Sequence, residues 1–230
     1  TESKGAPLWN GSAWPGGGAS AQTRRLQLVD TGYITWANSS GFWSGSGGAY
    51  TIVAKALAVP TPTSNWPTIA RIGGFDGQGN AVLFRVRRDL SPVCIEFYCA
   101  VDGTLYNCQT TSAFTFDYKY HTIIGTSDGT PTGLKIYVDG VVQAVTISDE
   151  GATDPGAPKL YVGGDAANNA GWLGFLAELA IAVGRTWSAK EVTSYQTSRA
   201  FPADPTWLLS SDDWPHDAVG GGAGVPTGFG

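Results

Sequence analysis

Carboxylates are where chemistry would have to start in this chain, because other catalytic side chains are scarce. Glu96 stands alone in Cys94-Ile-Glu-Phe-Tyr-Cys99, and Glu178 stands alone in a hydrophobic run. Asp149-Glu150 are adjacent in a stretch read as a loop, where successive side chains diverge. Glycoside hydrolysis needs two carboxylates aimed at one sugar, which alternate positions on a strand can supply. No Glu-x-Asp-x-x-Glu spacing occurs. The two histidines, His121 and His216, have no Ser or Cys beside them in a nucleophile motif, and His121 is expected to pack at the start of a strand. Gly16–Gly18 and Gly220–Gly222 lie outside any strand–turn–helix setting, so they read as linker glycines and not as a phosphate loop. The residue types point to binding and not to catalysis.

Two kinds of binding residue remain. Trp36, Trp43, Trp66 and Trp172 lie in or beside expected loops, where large rings either stack on sugars or close the ends of a core. The segments Gly163-Gly164-Asp165-Ala166-Ala167-Asn168-Asn169 and Gly74-Phe75-Asp76-Gly77 gather side-chain oxygens, which turns also favour for local hydrogen bonding. Asn10-Gly-Ser12 and Asn38-Ser-Ser40 match the N-glycosylation acceptor pattern.

Cys94, Cys99 and Cys108 fall in one expected hairpin. Cys94 and Cys99 are five apart and face opposite sides of a regular strand, so they do not join. Cys99 and Cys108 become cross-strand neighbours if the loop between them has four residues. A two-residue Asp102-Gly103 loop instead puts Phe97 opposite Cys108. The odd count favours free, buried thiols, and the spacing does not give the four tetrahedral ligands of a zinc site.

The elements that must position these residues are strands. Of 230 residues, 14% are charged and 32 are glycine, a composition suited to many short strands and tight turns. A single all-β domain of this length is ordinary. Strands are expected at 24–29, 33–36, 50–59, 68–73, 81–87, 93–101, 105–110, 121–126, 134–138, 141–147, 159–162 and 175–183. Asp-Gly and Gly-Gly turns between them indicate two packed antiparallel sheets. Ser188-Ala-Lys-Glu191 is a capping box, and Val192 and Tyr195 give the apolar face of a short helix ending near Arg199. Residues 1–23 and 202–230 are extended Gly/Pro-rich arms flanking a domain at 24–201. Arms of this composition are ordered only where something pins them, so they are expected to grip a partner surface such as neighbouring subunits.

A net charge of −5 argues against nucleic acid, and Arg85, Arg87 and Arg88, the only basic cluster, read as a solvated strand face. No apolar run is long enough to insert in a membrane. The chain lacks methionine, and the absence of a leader pattern fits loss of an initiator before Thr1 or prior cleavage equally.

The order of motifs in the last third is the most informative pattern. It runs from the Asp139-Gly140 hairpin in GLKIYVDGVVQAVTI (Gly133–Ile147), through KLYVGG (Lys159–Gly164) and GFLAELAIAV (Gly174–Val183), to the Ser188 capping box. It resembles the C-terminal half of a laminin-G-like domain of the concanavalin A-like jelly-roll superfamily, and the likeness extends loosely over about residues 24–200. YTIVAKALA (Tyr50–Ala58) is similar to an earlier strand of that family. The resemblance implies an all-β two-sheet antiparallel sandwich, a jelly roll, with one short helix near the C-terminal end of the domain. It implies a domain that binds, with glycans the expected ligand and Trp36, Trp43, Trp66 and Trp172 the stacking candidates. Some relatives hold calcium at the rim, and the matching loop positions make Asp76, Asp165 and Asn168 the candidate ligands here. The expected function is a non-enzymatic structural or adhesive subunit displaying a lectin-like jelly roll on a large assembly, such as a virion decoration or tail-surface protein. The alternatives are a secreted or cell-surface carbohydrate-binding module, which a Cys99–Cys108 disulfide would favour, and a divergent glycoside hydrolase.

Overall fold

Alternation of apolar and polar residues, broken by glycine turns, yields fourteen strands and one helix among the described residues of the computed structural model. It describes residues 26–28, 34–36, 48–58, 65–73, 79–154, 158–164, 171–203 and 205–210. The first sheet runs β1 (Leu26–Leu28), β13 (Gly174–Val183), β3 (Ala49–Ala58), β8 (Tyr120–Asp128), β9 (Lys135–Val138) and β10 (Val141–Val142), with β14 (Trp207–Ser210) also paired to β13. The second runs β11 (Val145–Ala152), β7 (Thr104–Thr110), β6 (Cys94–Val101), β5 (Asn80–Arg87), β4 (Thr68–Gly73), β12 (Lys159–Val162) and β2 (Ile34–Trp36). All pairings are antiparallel, and the two sheets form the expected jelly-roll sandwich.

The inner faces meet in one core. Ile52, Ile123, Ile136 and Leu179 come from the first sheet; Val82, Phe84, Phe97 and Leu160 come from the second. Phe84 and Phe97 meet edge-on with centroids 5.9 Å apart. Gly125 sits opposite Phe97 so closely that a Cβ there would lie 2.7 Å from the ring, so the glycine is what admits this phenylalanine.

The first sheet is covered on its outer face as well. The helix α1 (Ala189–Ser198) starts at the Ser188 capping box, with Ser188 Oγ accepting from Glu191 N and the Glu191 carboxylate accepting from Ser188 N. Its buried residues Val192 and Tyr195 join Trp187 over Val53, Ile124, Tyr137 and Ala180, a second apolar cluster. Burial on both faces is why GFLAELAIAV is nearly continuously apolar, and why Tyr137 is buried although it alternates out of the core.

Three differences from the sequence reading have local causes. The strand expected at 141–147 is two strands: Val141–Val142 close the hairpin on β9, then the chain crosses at Gln143-Ala144 and β11 pairs with β7 in the other sheet. Asp149 and Glu150, read as loop residues, lie within β11, an edge strand with a register shift between Asp149 and Ala152. The segment following residue 202 supplies β14, whose Leu209 is buried against the core.

The Asp102-Gly103 loop has two residues, both at positive φ (49° and 77°), so Phe97 and not Cys99 pairs with Cys108. All three cysteines are buried and free. Burial pushes the Cys99 and Cys108 thiols up to about 12.

Candidate functional site

Strand alternation sends Arg85 and Arg87 of β5 to the outer face of the second sheet, away from Val86 in the core. Register then decides what they meet, since Arg85 pairs with Glu96 and Arg87 with Cys94 across the β5–β6 hairpin. The next strand, β7, brings Asn107 opposite Tyr98 and Gln109 opposite Glu96. A lone acid on a strand buried along its whole length thus lies between two guanidiniums. Arg85 Nε donates to Glu96 Oε2 at 2.7 Å and Arg87 Nη1 donates to Oε1 at 3.0 Å. The Tyr98 hydroxyl and Asn107 Nδ2 each add a bond at 3.3 Å. Glu96 is 0% exposed. Burying a carboxylate is prohibitive without such partners. Burial, opposed by Arg85 and aided by Glu96, pushes the Tyr98 phenol up to about 12, so at neutral pH it stays a donor.

The network continues outward. Arg87 also grips Asp89 through both Nε and Nη2, at 2.7 and 2.6 Å. That fork, together with a hydrogen bond from the Trp66 side chain, holds the Asp89 carboxyl at about 2. The segment carrying Trp66 runs beside the end of β5, with Val86 N donating to Pro67 O at 2.9 Å and Arg88 N to Asn65 O at 2.8 Å. The indole therefore sits at the two arginines, whose guanidinium carbons lie 5.9 and 6.0 Å from its ring centroid. Trp66 remains 38% exposed. The result is a fixed aromatic surface beside a chain of alternating charges, Asp89–Arg87–Glu96–Arg85.

This corrects the solvated-face expectation for the arginines: their side chains are only 17% and 20% exposed because Glu96 draws them onto the sheet. The sequence held the signal for Glu96 and for the alternate spacing of Arg85 and Arg87, but the parts of Asp89, Tyr98 and Asn107 depend on register and on the local turn.

The other expected site residues separate. Trp172 is 1% exposed, its indole N–H directed at Leu57 O at 3.3 Å, and it closes the core without offering a face to a ligand. Trp36 lies in β2 at the register position opposite Leu160. Trp43, Asp76, Asp165 and Asn168 fall outside the described residues, as do Asn10 and Asn38 of the acceptor patterns. Among the described residues, no group of three or more His, Cys, Asp or Glu is placed to hold a metal ion.

The remaining titratable clusters tie structure together. His121, at the start of β8 as expected, bridges Asp139 (Nδ1, 2.7 Å) and Asp117 (Nε2, 2.9 Å). Burial opposes a charged ring, but the two carboxylates outweigh it and the histidine pKa is raised. Glu178 accepts from the Tyr195 hydroxyl on the outer face of the first sheet beside α1, and burial raises its pKa. Glu96 and Glu178 therefore sit on opposite sides of the sandwich and cannot flank one glycosidic bond.

A family model for the concanavalin A-like lectin/glucanases superfamily, of laminin G type, matches residues 28–193, and the chain belongs to that family. No curated protein matches the sequence. Solved structures share the fold at low identity. A putative carbohydrate binding protein from Bacteroides ovatus aligns with a TM-score of 0.55 at 17% identity, covering 82% of this chain and 51% of that one. The CBM40 of Ruminococcus gnavus IT-sialidase, bound to α2,3-sialyllactose, aligns at 0.52 and 11%, covering 75% and 96%. The native heptameric SAP-like pentraxin from Limulus polyphemus aligns at 0.51 and 9%, covering 80% and 82%.

Proposed function

We propose that this lectin-like jelly roll is a non-enzymatic glycan-binding domain, with the sugar held on the outer face of the second sheet. Trp66 is the stacking platform, and the Arg85–Glu96–Arg87–Asp89 chain supplies hydrogen-bonding groups beside it. The observation that carries this reading is that Trp66 stays 38% exposed although Asp89 and two guanidiniums fix its ring. A sugar presents an apolar C–H face and a rim of hydroxyls. An immobilised indole next to fixed donors and acceptors matches both at little entropic cost. The carbohydrate-binding protein and the sialyllactose-bound module of the same fold support the class of ligand. Hydrolysis is disfavoured on chemical grounds: Asp89, held at about 2, has no proton to give at neutral pH, and Glu96 is saturated by two arginines.

The test is a glycan array followed by titration calorimetry. Trp66→Ala is expected to weaken the best ligand at least roughly tenfold while the chain still melts cooperatively, a few degrees lower for the lost contacts to Asp89 and the arginines. An unchanged affinity sinks the site.

For the wider setting, the Gly/Pro-rich composition of residues 1–23 and of the tail after residue 210 supports display on a large assembly, such as a virion surface, with the arms gripping neighbouring subunits. Limited proteolysis read by intact mass tests this. Arms stripped from the isolated chain but protected in an assembly support it, whereas arms that resist alone remove its basis and leave a secreted lectin-like module.

A further inference from the structure

We infer that the face around Trp66 selects uncharged glycans and discriminates against those bearing a carboxylate or sulfate; this rests on the glycan-binding reading above. The juxtaposition that carries it is the alternation Asp89–Arg87–Glu96–Arg85, with neighbours at 2.6, 3.0 and 2.7 Å. Two cations and two anions alternate, so the chain carries no net charge toward a ligand.

Donor by donor, half of the ten N–H groups are spent, three on Arg87 and two on Arg85. Arg87 has five N–H groups in a fixed fork. Nε and Nη2 serve Asp89 and Nη1 serves Glu96, which leaves single hydrogens on two nitrogens and no free bidentate edge with Nε. Arg85 gives Nε to Glu96 and one Nη2 hydrogen to the Tyr98 hydroxyl at 3.0 Å. An anion approaching Arg85 therefore also approaches Glu96, and a Glu150 carboxylate close enough to Tyr98 to help raise its phenol. The N–H groups that remain lie beside carboxylate acceptors, a mixture that suits hydroxyl groups, which both give and take hydrogen bonds.

Other cations on the sheet do not alter the balance. Arg71 is only 2% exposed, with Nε on Asn80 Oδ1 at 2.7 Å and its guanidinium over Tyr161. Lys159 lies two strands from Arg85 and in register with Asn80, five residues along β5, so about 4.8 Å per strand and about 3.3 Å per residue put it about 19 Å away, beyond a Debye length at 0.1 M salt. The guanidinium of Arg88 lies over the Phe116 ring. The chain as a whole carries −5, so long-range attraction does not favour acidic ligands either.

The experiment is an array carrying neutral oligosaccharides beside sialylated, sulfated and uronic-acid counterparts, followed by titration of the best hit and its acidic derivative at low and high NaCl. Neutral hits are expected, with the acidic derivative at least roughly tenfold weaker at low salt and the neutral affinity unchanged by salt. Asp89→Asn, which removes one anion from the exposed end of the chain, is expected to raise the affinity for the acidic derivative relative to the neutral hit severalfold. Acidic hits whose affinity falls with salt, or an unchanged acidic-to-neutral ratio in Asp89→Asn, overturn the selectivity while leaving glycan binding in place. An array with no hits at all takes down the glycan-binding reading and this inference with it.

Discussion

Replacing Glu96 with glutamine removes the anion on which the face is built and changes almost nothing in volume. The carboxylate accepts two charge-assisted bonds, from Arg85 at 2.7 Å and from Arg87 at 3.0 Å, and two neutral ones from Tyr98 and Asn107. Charge-assisted bonds are worth about 1.5–3 kcal/mol each, so the gross loss is about 3–6 kcal/mol. Three effects reduce it. The arginine side chains are 17% and 20% exposed and recover some hydration, Arg87 keeps its fork on Asp89, and the amide oxygen still accepts one bond. One effect adds to it, because the amide NH2 of Gln points a donor at donors. The balance is about 2–3 kcal/mol, below the 3–5 typical of breaking a fully buried pair. At about 2–4 °C per kcal/mol for a chain of this size, the melting temperature falls by about 4–12 °C. The assay is thermal melting followed by circular dichroism, repeated at high salt. A buried anion is poorly screened, so the difference between wild type and Glu96→Gln persists in salt. A fall under about 2 °C, or one that vanishes at high salt, shows that Glu96 is an ordinary surface ion-pair partner and refutes the reasoning.

Four further outcomes follow from other parts of the molecule. Gly125→Ala forces a Cβ to 2.7 Å from the Phe97 ring and is expected to cost about 1–3 kcal/mol in urea unfolding, a cost that Phe97→Leu in the same chain relieves. His121 has a raised folded pKa, so its contribution is complete below about pH 6.5 and is lost as pH rises through the folded value; the melting gap between wild type and His121→Asn is therefore wider at pH 5.5 than at pH 8.5, and an equal gap contradicts it. Asp89 has the opposite sign: its contribution holds above the ordinary aspartate range and fades as pH falls toward about 2, seen as a narrowing gap to Asp89→Asn in acid. Ser188→Ala breaks the capping box of α1 and lowers stability by about 1 kcal/mol in denaturant titration.

How far the sequence carried the fold depends on how local each signal was. Strand periodicity, the Asp139-Gly140 turn and the Ser188 capping box are read within a few residues, and each stands where the local pattern put it. The break between β10 and β11 was hidden because Val141–Ile147 is one β-forming run; only pairing with β7 in the other sheet splits it. The short β14 was hidden by the Gly/Pro-rich composition around it, which described the tail and not the four residues Trp207–Ser210.

The candidate site was less legible, because a site made across strands is written in register, which composition does not encode. Trp66 was among the ring residues singled out, but Trp172 was indistinguishable from it in sequence, and burial alone separates the exposed ring from the core plug. Glu96 carried more information than its isolation suggested. An acid inside an eight-residue strand of otherwise apolar and aromatic character has to meet cations on its own face, since nothing within the strand can compensate it. Basic residues two apart, the spacing that places two cations on one strand face, occur only at Arg85 and Arg87. The demand of one strand and the supply of its neighbour thus identify each other, and pairing them fixes the β5–β6 register at Arg85 opposite Glu96. Buried charge is a stronger constraint on strand register than apolar pattern here. A one-residue slip would still leave a plausible hydrophobic face, but it would strand the carboxylate on the wrong side of the sheet.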